Sequence, residues 1–146
     1  MNALQLKRIS IADPEYTSVW ELRENVLRKP LGQSLRDEDL SGERDEFIIA
    51  GIRGAEVVGC VLLRPQSGRE LKLRQMAVAE ASQGQGIGAA IVREAEACAL
   101  ENGFTSISLH ARKEAVTFYE RCGYGIRGEE FVEVGIPHLL MQKELS

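Results

Sequence analysis

At 146 residues, with 44% hydrophobic and 27% charged positions, the chain has the balance of one soluble globular domain spanning 1–146. Its longest apolar run, VVGCVLL, is strand-sized, so nothing reaches membrane-spanning length. The net charge of −4 sits in Arg36–Glu46 (RDEDLSGERDE) while acids and bases elsewhere cancel, which excludes the basic stripe of a nucleic-acid binder.

That acidic run reads first as a solvated loop, and second as a negative rim for a cationic amine. The opening MNALQLKRIS lacks the apolar core of a secretion signal. Cys60, Cys98 and Cys122 show neither metal spacing nor a paired framework. A cytoplasmic protein with reduced thiols and no metal is expected.

Leu4–Ile9 alternates as a first strand. Asp13 and Pro14 then signal a helix start, and Tyr16, Val19, Trp20, Val26 and Leu27 repeat at helical spacing, so the helix packs on a core until Lys29-Pro30 and Gly32. Arg23 falls on that apolar side. Residues 46–53 and 55–64 read as a hairpin turning at Gly54, and Pro65–Gly68 turns the chain into a central strand, Glu70–Val78. Short links predict an antiparallel meander.

A helix beginning at Gly86 places Ile87, Ile91, Ala95 and Cys98 on one face and ends at Asn102-Gly103. Thr105–Leu109 follows as a strand, and a crossover of this length predicts that it lies parallel to the central strand. A short helix over 113–122 precedes strands at 124–127 and 137–143, with a loop carrying Glu129, Glu130 and Glu133 between them.

The stretch QGQGIGA, Gln83 to Ala89, opens the second long helix with glycines. Such a turn leaves backbone N–H groups aimed outward at the positive end of the helix dipole, a site suited to phosphate. A nucleotide P-loop would need Lys-Ser/Thr where Ala89-Ala90 stand. Gly84, Gly86 and Ala89 satisfy a dinucleotide fingerprint, but AEASQ separates them from the strand and no acidic residue closes Thr105–Leu109.

Gln83, Gly86 and Gly88 instead match R/Q-x-x-G-x-G/A. Ala115, Phe118, Tyr119, Glu120, Gly123 and Tyr124 match A-x-x-F-Y-E-x-x-G-F/Y. Together, in this order, they resemble the GCN5-related N-acetyltransferases (GNAT). The resemblance is close over Leu71–Tyr124 and elsewhere extends to element order. It implies a mixed α/β fold, a mostly antiparallel sheet with a parallel central strand pair and flanking helices. It also implies acetyl-CoA as co-substrate and a small-molecule or peptide amine as acceptor. Dimers are common in that family, so a homodimer is an assembly it allows.

On the same resemblance, Gln83, Gly84, Gln85, Gly86, Ile87, Gly88 and Ala89 hold the diphosphate. The backbone of Met76, Ala77 and Val78 meets the pantetheine and thioester, and Tyr119 serves the leaving thiolate. Arg112 stands where many members have asparagine, and is a candidate for a cofactor phosphate. For the base, His138 has the right pKa range, with Glu133, Glu70 and bulk water as alternatives. Arg23 either covers its neighbours with its stem or binds a substrate carboxylate or carbonyl. A non-catalytic acyl-CoA-binding module and a nucleotide-binding regulator remain alternatives to the enzyme.

Overall fold

The computed structural model describes residues 3–146. In chain order, β1 (Leu4–Ile9), α1 (Glu15–Arg23), β2 (Phe47–Arg53), β3 (Glu56–Pro65) and β4 (Glu70–Val78) precede α2 (Ile87–Glu101) and β5 (Ser106–Arg112). α3 (Val116–Arg121), β6 (Gly125–Ile126), β7 (Phe131–Glu133) and β8 (Ile136–Glu144) complete the chain. The strands form one eight-stranded sheet in the order β1-β2-β3-β4-β5-β8-β6, with β7 on β8. The meander β1 to β4 is antiparallel, and β4 and β5 are parallel, as the connection lengths predict.

Each face has its own cover. Ile87, Ile91, Ala95 and Cys98 of α2 bury against Leu71, Leu73, Ile107 and Leu109, so the 3.6-residue stripe expected for α2 is the one that packs. On the opposite face Val19 and Leu22 of α1 cover Ile48, Ala50, Cys60 and Leu62. α1 lies over β3 and reaches Ala77 of β4, and the polar side chains of β4, β5 and β8 beyond it line an open cleft.

Three local details depart from expectation. Asp13 makes no side-chain cap; Pro14 occupies the N-cap and the Asp13 carboxylate accepts from the Ser10 amide at 2.7 Å. α1 runs on into a π turn, Glu24–Arg28, and a 3-10 turn that ends at left-handed Gly32. The acidic run is not a solvated loop throughout, because Glu43 and Glu46 are buried against arginines. Among the described residues no helix is long and apolar enough to cross a membrane.

Candidate active site

Two breaks in regular pairing create the site. Opposite β3, the β4 register slips between Cys60 and Leu62, and Gln75 takes a left-handed φ of 57°. This is a β-bulge. Parallel pairing of β4 with β5 ends at Leu73↔Leu109, whereas β5 continues to Arg112 against β8. The two strands therefore splay. Ala77 and Val78 keep β3 on one side, Met76 falls in the register slip beside them, and none of the three has a strand on the other side. Their backbone lies along a cleft of about 1320 Å³, which also takes in Gln83, Gly84, Tyr119, Arg112 and His138.

At one end of the cleft the chain turns into α2. Gly84 and Gly86 both sit at φ 78°, which a side chain would strain. A Cβ on either would meet no protein atom within 4 Å, so the space before the turn is open. No side chain caps α2, and the amides from Gly84 to Ala89 reach no protein acceptor among the described residues. Gly88 has a different duty, since its Cβ would come 3.1 Å from the Phe118 ring. The Gln83 amide donates to the Val78 carbonyl at 3.2 Å, tying the turn to the end of β4. Gln85 is held from outside by Arg53. A diphosphate-bearing ligand fits this donor set, and Arg112, which lines the same cleft with no carboxylate partner among the described residues, adds positive charge.

Tyr119 reaches the cleft from α3, packed edge-on between Phe118 and Tyr124. Burial pushes its phenol well above the usual range, so it carries its proton at neutral pH. Tyr124 is a packing residue, its hydroxyl donating to Glu96 at 3.0 Å.

His138, Glu133 and His110 stand together in the same cleft, with His138 across from Arg112 of β5. The His138 Nδ1 lies 2.8 Å from the Ile136 carbonyl, which can only accept, so Nδ1 carries the proton and Nε2 holds the lone pair in the neutral ring. That Nε2 lies 3.8 Å from Glu133 Oε2, and the other Glu133 oxygen meets His110 Nδ1 at 2.9 Å. Burial pushes the Glu133 carboxyl up, but the His110 hydrogen bond and nearby positive groups outweigh it, leaving the carboxyl below its ordinary value. No motif points to His110. Its signal lies in the continuing alternation of β5, with Ile107, Leu109 and Ala111 inward and Ser108, His110 and Arg112 on the other face.

Arg23 is placed elsewhere. Its side chain is 0% exposed; Nη1 and Nη2 donate to Glu43 at 2.9 and 2.6 Å, and Nε donates to Gln75 Oε1 at 3.1 Å. The expectation that it meets the substrate is corrected: every branch of the guanidinium is already engaged, and it does not line the cleft. Its contact is with the bulge residue.

The acetyltransferase (GNAT) domain description matches residues 13–145. An uncharacterized N-acetyltransferase of Bacillus subtilis is 31% identical over 126 residues, 84% of this chain and 88% of that one. An uncharacterized protein of the same organism is 40% identical over 79 residues, 54% of this chain, so the match spans about half the length of that relative, 53%. A crystal structure from Elizabethkingia anophelis, a GNAT family acetyltransferase with acetyl-CoA bound, superposes with a TM-score of 0.74 at 19% identity, over 99% of this chain and all of that one. The domain match and these relatives establish that the chain belongs to the GNAT acetyltransferase family, acyltransferases that use acetyl-CoA as co-substrate.

Proposed function

We propose that this protein acetylates a primary amine by direct attack within a ternary complex. The observation that carries the reading is the run of uncapped amides from Gly84 to Ala89, at the mouth of a cleft that continues along unpaired β4 backbone. Acetyl-CoA supplies the thioester whose carbonyl carbon the amine attacks, forming the amide as the carbon–sulfur bond breaks. The turn amides hold the diphosphate end, and Arg112, across from His138 where β5 meets β8, adds positive charge to the cleft for a cofactor phosphate. The backbone of Met76–Val78 pairs with the pantetheine arm, and one of its amides faces the developing oxyanion.

The acceptor enters from the end where His138, Glu133 and His110 meet. Neutral His138 takes the ammonium proton at Nε2, and the Glu133 carboxylate stabilises the imidazolium that results. His110 fixes the other oxygen of that carboxylate. At the opposite side of the reacting centre Tyr119 offers its hydroxyl to the departing sulfur. A phenol raised this far by burial is a poor proton donor, so its main contribution is a hydrogen bond to the thiolate. Arg23, through Gln75, holds the bulge that lets β4 leave β5; it positions the backbone and touches no reactant.

Thiol release from acetyl-CoA across a panel of amines tests the reading. Release with at least one amine supports it; coenzyme A binding without release for any amine supports the non-catalytic module instead. Tyr119→Phe removes the hydrogen bond while keeping the ring, and should lower kcat by about tenfold or more with acetyl-CoA affinity unchanged.

A further inference from the structure

Strand alternation puts Lys72 and Arg74 on the face of β4 opposite Leu71 and Leu73, away from α2 and toward the cleft. Arg64 lies across from Lys72 on β3, and Arg28 approaches from the π turn; both line the same cleft. Three of these four cations have a carboxylate partner, and Lys72 has none among the described residues. Glu46 serves both Arg64 and Arg74, each at 2.9 Å, and Arg74 also has Glu43 at 3.9 Å. Glu43 is committed to Arg23, and Arg28 is answered by Glu38. Glu70, next to Lys72 on this face, is turned away to Ser108 and Gln142, at 3.0 and 2.9 Å. Among the described residues Lys72 forms no ion pair or side-chain hydrogen bond, yet it stands close enough to Glu133 to help hold that carboxyl down.

The acceptor end thus presents the Glu133 carboxylate near Lys72, a cation with no partner of its own among the described residues, with Arg74 beside it on the same face of β4. An ammonium group suits the first and an anion suits the second. A polyamine would bring its second positive charge against unpaired Lys72, a repulsive contact. Of the acids expected to form a negative rim, Glu43 and Glu46 face inward to guanidinium groups, while Asp37, Glu38, Asp39 and Asp45 stay exposed.

We propose that the acceptor is a primary amine that also carries an anionic group, its amine at Glu133 and His138 and its anion at Lys72 and Arg74. This rests on the acetyl-transfer reading above and names the class of substrate for it. A carboxylate and a phosphonate would both satisfy the cations, and the choice between them is made by the panel.

The test is thiol release measured on matched sets: amino acids, their carboxamides, the corresponding decarboxylated amines, aminoalkylphosphonates and spermidine. Amino acids or aminoalkylphosphonates should exceed their neutral counterparts in kcat/KM by about tenfold or more, the effect of one charge-assisted contact. Lys72→Gln should shrink that ratio to about threefold or less, through acceptor KM and without change in acetyl-CoA KM. Because Lys72 is partly exposed and unpaired, this variant keeps the fold. Spermidine or the decarboxylated amines equalling the acids would overturn the inference while leaving acetyl transfer standing, as would a ratio indifferent to Lys72→Gln. Release with no member of the panel, despite coenzyme A binding, removes the acetyl-transfer reading and this inference with it.

Discussion

Replacing Arg23 with alanine lowers the melting temperature by about 10 °C or more. The reason is the state in which Glu43 is left. In the native protein its carboxylate, 2% exposed, takes two bonds from Arg23 and a third from the Tyr16 hydroxyl at 2.6 Å. Truncating the arginine strips a buried charge of both its guanidinium hydrogen bonds and leaves only Arg74, at 3.9 Å, as a distant cation, a loss of about 3–5 kcal/mol. Removing both partners is much milder, so Arg23→Met with Glu43→Gln should regain more than half of the lost stability, as read by thermal denaturation. Activity should not return with it, because a thioether has no N–H to donate to Gln75 and the bulge loses its pin.

The same pair has a pH signature. Burial pushes Glu43 up, but its hydrogen bonds from Arg23 and Tyr16 outweigh that and hold the carboxyl below its ordinary 4.5. A folded value below the unfolded one stabilises the protein above the unfolded pKa, and the contribution disappears as pH falls through the folded value. The stability gap between wild type and Arg23→Ala should therefore be widest near neutral pH and narrow below about pH 4.5.

Gly86→Val has its large effect on binding. At φ 78° a β-branched residue is strained, by about 1–3 kcal/mol, and its side chain projects where the ligand must approach the amides. Since a Cβ there meets no protein atom within 4 Å, the fold carries the strain without a clash. Coenzyme A affinity, followed by calorimetry, should fall by about 100-fold or more while the protein stays folded.

Much of this architecture was legible because its cause is local. β1 and β4 follow from alternation, α2 from its apolar stripe, and the parallel β4–β5 pair from the length of the crossover. The open turn follows from the position of its glycines. What escaped depends on distant partners. Glu43 and Glu46 look like solvent-facing acids in RDEDLSGERDE; their burial is decided by Arg23, Arg64 and Arg74, which arrive from α1, β3 and β4. Arg23 itself was visible as a cation on an apolar face, but no spacing reveals that Glu43 answers it. β7, three residues long with Val132 exposed, is too short for alternation to register and exists because β8 offers it an edge. In the proposed mechanism it matters because β7 carries Glu133 to His138 and His110.

The most direct measurement of the central claim is a calorimetric comparison of coenzyme A with pantetheine, which lacks the diphosphate. If the amides of Gly84–Ala89 grip that group, coenzyme A binds about 100-fold more tightly or better. Equal affinity for the two would contradict the account.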